Sequence, residues 1–170
     1  MPSLYDVAVP TYLSMLKVLD RLLEKAEAHA KENGLDVEAY AQARLYPDMK
    51  PLIGQIQLAS DAAKGGAARL AAVPPPPMPD EEASFADLHA RIARTIAFVE
   101  TITPEQLEGP EDRIIELKLP TTTLRFTARN FLLQFSIPNF LFHVTTAYAI
   151  LRMLGVPVGK LDYLSVTPEA

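Results

Sequence analysis

The sequence contains no cysteine in its 170 residues. That excludes disulfide scaffolds, zinc ribbons and thiol nucleophiles, and it leaves the redox compartment open. No apolar run approaches the ~18 residues of a membrane-spanning helix. The segment Met1-Pro2-Ser3-Leu4-Tyr5-Asp6 has neither a basic nor an apolar leader character, so the expected location is the cytoplasm. Cations are sparse: 16 Lys plus Arg against 21 Asp plus Glu, a net charge of −5. No Lys/Arg cluster offers the phosphate neutralisation that nucleic-acid binding needs, so neither nucleic acid nor membrane is an expected partner. No Ser–His–Asp order and no paired carboxylates stand out. Val158-Gly159-Lys160 lacks the upstream glycine and the following Ser/Thr of a phosphate loop.

What is present is a globular composition, 49% apolar and 22% charged. One domain over residues 1–170 can bury a core without a staple. Tyr5, Val9, Tyr12, Leu16, Leu19, Leu23, Ala26 and Ala30 recur in steps of three and four, predicting a first helix over 5–33 that Asn33-Gly34 stops. Pro10 disturbs only its first turns. Asp36 caps a short helix over 37–43. A second helix over 51–72 buries Leu52, Ile56, Ala59, Ala63, Ala67 and Leu70. Gly65-Gly66 costs it ~1 kcal/mol per glycine relative to alanine, which implies close approach of another backbone.

Residues 73–83 include four consecutive prolines, which excludes helix and implies polyproline II. At ~3.1 Å per residue this linker reaches ~34 Å, and helix two at ~1.5 Å per residue is ~33 Å long. The linker can therefore join two helices that point the same way. Ser84 and Asp87 form a capping box for a third helix over 85–102, with Phe85, Leu88, Ile92, Ile96, Val99 and Ile102 on its apolar stripe. Thr103-Pro104 ends it, and a loop follows at 108–112. Ile115, Leu117 and Leu119 alternate with Ile114, Glu116 and Lys118. With Pro120-Thr121-Thr122 as turn and 123–126 as return strand, they predict a small hairpin docked on the helices. Thr127 caps a last helix over 128–154, which Pro138 must kink or break and Gly155 ends. The tail from Val156 to Ala170 reads as irregular. The fold class is therefore all-α, a four-helix bundle with a hairpin before helix four.

Chemistry has few candidate residues. His29 sits near the end of helix one, where a cation complements the helix dipole. His89 lies at the edge of the stripe of helix three. His143 falls on the core face of helix four among Phe140, Ala147 and Ile150, where its ring must find a partner. Asn139 lies one turn before it on the same face. Gln55 and Gln57 flank the stripe of helix two. Such groups can line a polar pocket in a bundle interior. Residues 74–112 hold nine acids and two bases, and residues 113–160 hold six bases and one acid. Mutual neutralisation is the first reading, and a basic mouth at Arg125, Arg129 and Arg152 is the second.

The stretch Pro138-Asn139-Phe140-Leu141-Phe142-His143-Val144-Thr145-Thr146-Ala147-Tyr148-Ala149-Ile150-Leu151-Arg152, followed by Gly155 and Gly159-Lys160-Leu161-Asp162-Tyr163-Leu164, resembles the signature of a bacterial and fungal family catalogued as a domain of unknown function. The pieces Ala43-Arg44-Leu45-Tyr46-Pro47-Asp48-Met49, Gln55-Ile56-Gln57 and Phe85-Ala86-Asp87-Leu88-His89-Ala90-Arg91-Ile92 extend the likeness to nearly the whole chain. That family is grouped with the DinB/YfiT-like metalloenzymes. The resemblance implies an up-down-down-up bundle with a long crossover between helices two and three. Superfamily members of known activity are metal-dependent thiol transferases and an isomerase, with zinc or nickel on one helix-two histidine and an H-x-x-x-H pair on helix four. Matched here, the pair becomes Asn139 and His143, and the helix-two position falls to Gln57, with Gln55 as the second choice; Gln57 and His89 are the expected partners of the His143 ring. One imidazole with two neutral amides is a poor set for these metals. The expectation is a small-ligand-binding or structural homodimer with a degraded metal site, no cofactor, and ligand residues His143, Asn139, Gln57 and His89. The alternative is a metal-dependent thiol transferase or isomerase that keeps zinc or nickel.

Overall fold

A computed structural model describes residues 2–109, 112–118 and 121–165. The chain is mostly helical, with one small antiparallel two-stranded sheet. Helix α1 spans Leu4–Glu32, and Ser3 and Asp6 close a capping box at its start. Its predicted stripe is its buried face: Val9, Tyr12, Leu16, Leu19, Leu23, Ala26 and Ala30 are all in the core. Gly34 adopts φ +65° beyond the C-cap, the left-handed stop that glycine permits. Residues Val37–Gln42 form a 3-10 helix capped by Asp36. Helix α2 covers Leu52–Ala71 and α3 covers Phe85–Glu100, the latter with the expected Ser84/Asp87 capping box.

Side-chain pairs order these helices. Gln57 meets Glu82 at the threshold of α3, Asp61 meets Arg91, and Ser60 meets Thr95, at 2.9, 3.0 and 2.6 Å. Residue numbers thus rise together along α2 and α3. The proline linker returns along α2 to make this possible, with Met78 against Ser60. The Glu38 carboxylate, just past α1, accepts from the Phe85 amide, so α3 starts where α1 ends.

Beyond α3, Pro104–Leu107 forms a short helix α4 where the sequence suggested only a stop. Proline at a first helical position loses nothing by lacking an N–H, so the same residue that ends one helix begins the next. Strands β1 (Ile114–Lys118) and β2 (Thr123–Thr127) pair antiparallel, Ile115 opposite Phe126 and Leu117 opposite Leu124. Ile115 and Leu117 are buried while Ile114 is exposed, which is the alternation expected. Phe126 packs on Phe131 and Phe135, docking the hairpin on the helices. Pro110, Glu111, Leu119, Pro120 and the tail residues 166–170 lie outside the described residues.

Pro138 does not break the last helix. After α5 (Ala128–Asn130) the chain widens into a π-helical turn over Phe131–Ser136 and continues as α6 (Ile137–Met153). The Ile137 amide reaches the Leu132 carbonyl, five residues back. The wider turn absorbs the register change that a proline ring and its missing donor impose. Gly155, at φ +89°, follows α6. The tail is not wholly irregular: α7 covers Lys160–Leu164, with the Asp162 carboxylate accepting from the Gly159 amide. Lys25 ties α7 to α1 through Asp162. Along α2 and α6 the contacts run in opposite senses, Gly66 beside Ser136 and Gln55 beside His143.

Candidate functional site

The α2–α6 seam carries the residues that the sequence singled out on helix four. Gln55 is buried on α2 and its amide nitrogen donates to the Lys50 carbonyl at 3.0 Å. That bond fixes the amide orientation, so Gln55 Oε1 faces His143 Nδ1 at 2.8 Å. A carbonyl oxygen only accepts, hence Nδ1 carries the proton and Nε2 keeps its lone pair. Burial lowers the His143 pKa below its ordinary value, so the ring is neutral at pH 7. Phe142 holds it edge-on at 5.2 Å between centroids. The seam therefore presents an oriented, unprotonated imidazole nitrogen, able to accept a proton or a hydrogen bond.

The other expected site residues lie elsewhere. His143 is half-buried, and its partner is neither Gln57 nor His89. Gln57 faces the opposite side of α2 and donates to Glu82 at 2.9 Å. His89 turns to α1, with Nδ1 2.6 Å from Asp20 and Nε2 3.2 Å from Glu27. Burial works against its charge, but the two carboxylates outweigh it and raise the pKa above 6.5. Asn139 stays on the seam, one turn from His143, and lines a cavity of about 190 Å³ with Gly66, Arg69, Phe131 and Phe135. The four residues thus occupy three separate places. Among the basic residues weighed as a pocket mouth, Arg125 pairs with Glu116 across the hairpin.

The residues do not fit the metal that the superfamily resemblance implies. Of the helix-two candidates, Gln55 spends both polar atoms on His143 and Lys50, and Gln57 spends its amide nitrogen on Glu82. One imidazole remains, and amide oxygen is a poor donor for zinc or nickel. Among the described residues no group of three or more His, Asp or Glu side chains is placed to hold a metal ion.

Two polar clusters escaped the sequence reading. Arg91 is 0% exposed on α3 and reaches Asp61, Asp80 and Glu82 at 3.0 Å each, as well as the Pro79 carbonyl. It clamps the proline linker to α2 and α3. Burial works against ionisation of Glu82, yet bonds from Gln57 and Arg91 hold its carboxyl below the usual range. The signal was a cation three residues after Leu88 on an apolar stripe. In the second cluster the buried Tyr12 hydroxyl meets Ser136 at 2.6 Å. Burial pushes the Tyr12 pKa up to about 12, against the pull of Ser136. A Cβ on Gly66 would collide with both hydroxyls, so the close approach that Gly66 allows is to these side chains rather than to a backbone.

Residues 4–164 match the family described as Domain of unknown function (DUF1993). The crystal structure of a DinB family member protein from Shewanella denitrificans is similar, with 37% identity and a TM-score of 0.88. The likeness covers 98% of this chain and 94% of that one. None of the curated proteins matches the chain.

Proposed function

Since the chain belongs to the DUF1993 family, we propose that it is a cytoplasmic, homodimeric, small-ligand-binding member of the DinB-like bundles. The metal position has become an amide–imidazole pair. The bundle takes the up-down-down-up path with a proline crossover. The parallel numbering of the α2–α3 contacts and the opposed numbering of the α2–α6 contacts support that path. The observation that carries the functional reading is the relay from His143 Nδ1 through Gln55 to the Lys50 carbonyl. The superfamily resemblance implies metal ligands at these places on helix two and helix four, and the relay leaves one imidazole nitrogen for a ligand. Residues Leu133, Phe142 and Met153, exposed along the last helix, support a partner surface there. A cytoplasmic location accords with the finding that no helix of the described residues is long and apolar enough to cross a membrane.

Metal analysis of tag-free protein tests the metal half of this reading, with substoichiometric zinc and nickel expected. Stoichiometric metal that disappears in His143→Ala would overturn the degraded-site reading and favour the metal-dependent thiol transferase or isomerase over it. Light scattering at micromolar protein tests the assembly, with a dimer mass expected and a monomer mass overturning it.

A further inference from the structure

The cavity between α2 and the π-helical turn has a chemistry of its own. Its wall is apolar, built from Leu58 on α2, Leu117 on β1 and the rings of Phe131 and Phe135. The two rings stack at 5.9 Å, with Phe126 buttressing them from β2. The π-helical turn sets the rings on this wall, and such turns are frequent at functional sites. At about 190 Å³ the cavity equals about six water volumes of ~30 Å³, well below the ~300–1,000 Å³ of drug-sized pockets. A compact molecule fits, and a nucleotide-sized cofactor does not.

Four polar side chains border the cavity. Asp61 is already paired with Arg91 and Lys64. Arg69 is exposed, and its only partner among the described residues is the Gly65 carbonyl, one turn back. Among the described residues its guanidinium has no carboxylate partner. Asn139 is half-buried on the opposite bank and its amide makes no hydrogen bond among the described residues. The Ser136 hydroxyl is paired with the buried Tyr12 hydroxyl at 2.6 Å. One free cation beside one carboxylate suits a singly charged anion and disfavours a phosphate dianion. The planar fork of an arginine matches a carboxylate in two-point contact.

We propose that this cavity binds a small monocarboxylate with a compact aromatic or branched body: Arg69 takes the carboxylate, the phenylalanine wall holds the body, and Asn139 bonds a polar substituent at the far end. The proposal rests on the small-ligand reading above and supplies its ligand class and place.

Amide-resolved NMR titration of the full-length protein is the test. The probes are benzoate, 4-hydroxybenzoate and isovalerate, each against its neutral amide, with phenyl phosphate as a dianion. The expected result is saturable shifts at Gly66, Phe131 and Phe135 for the acids. The amides and phenyl phosphate should bind at least tenfold more weakly. In Arg69→Gln, a surface change that keeps helix propensity, the acids should lose at least tenfold while the amides are unmoved. In Asn139→Ala the preference for 4-hydroxybenzoate over benzoate should disappear. Acids that bind equally to wild type and Arg69→Gln overturn the carboxylate assignment. Equal binding of acids and amides at these residues also overturns it, while leaving the small-ligand reading standing. No saturable shift at these residues from any acid at millimolar concentration overturns the site, and shifts gathered at His143 instead would return the ligand to the imidazole.

Discussion

Among the described residues Arg91 is the buried cation on the Glu82 carboxylate, and replacing it with methionine leaves there only Arg94, 59% exposed and 3.8 Å away. The Glu82 side chain is 4% exposed and the Arg91 side chain 0% exposed, so the pair is desolvated. Asp61 and Asp80 also touch Arg91, but they are 42% and 58% exposed and keep much of their water. Their share of the loss is small, as for surface pairs. Stranding a buried carboxylate costs about 3–5 kcal/mol. For a chain of this size each kcal/mol moves the melting temperature by roughly 2–4 °C, so Arg91→Met should melt roughly 6–20 °C lower. Adding Glu82→Gln should recover more than half of that, because the stranded charge is gone. The deficit should also shrink below pH 5. In wild type the Glu82 carboxyl is held below its ordinary 4.5, so its stabilisation is present above that value and is lost as acid protonates the folded state. Without Arg91, burial dominates and the carboxyl takes up its proton earlier. Urea and thermal unfolding of the two variants at pH 7 and pH 4.5 provide the assay. A loss below about 1 kcal/mol at pH 7, the yield of an exposed pair, would refute the reasoning.

The paired glycines make a matched comparison. Gly66→Ala should destabilise the fold by ~1–3 kcal/mol in urea unfolding, since its methyl group must break the buried Tyr12–Ser136 bond. At Gly65 a methyl group meets the mobile Arg69 guanidinium, so Gly65→Ala should be neutral or gain up to ~1 kcal/mol of helix propensity. Equal effects at both positions would contradict this account. The two histidines should tilt the pH dependence of stability in opposite directions. His89 has a raised folded pKa, so its contribution is full below 6.5 and is lost as pH rises through the folded value. His143 has a lowered one, so its contribution is present above 6.5 and is lost as pH falls. His89→Gln and His143→Gln unfolding series from pH 5 to 9 check both signs.

The periodic parts of the chain were legible because burial there obeys one spacing. The stripes of α1, α2 and α3 and the alternation of Ile115 and Leu117 follow from helical and strand repeats alone. The linker was legible because proline has one backbone meaning, and its reach matched α2. The π-helical turn was not, since Phe131 and Phe135 read equally well as one helical face, and only the packed structure shows how the register slips ahead of Pro138. The short helices α4 and α7 are too brief to carry a stripe. On α6, the placement of His143 and Asn139 on one face was legible from their spacing of four. The choice between Gln55 and Gln57 was not, because two residues apart on a helix face nearly opposite sides and only the position of α6 selects one. Arg91 was missed because its partners come from the linker and α2, distant in sequence.

The most direct test is the protonation state of His143. Long-range ¹H–¹⁵N correlation at neutral pH reports which ring nitrogen holds the proton. The account predicts a proton on Nδ1, donated to Gln55, a bare Nε2, and a spectrum unchanged by one equivalent of zinc or nickel. A proton on Nε2, or a ring nitrogen shifted to a metal-bound frequency by that equivalent, would contradict it.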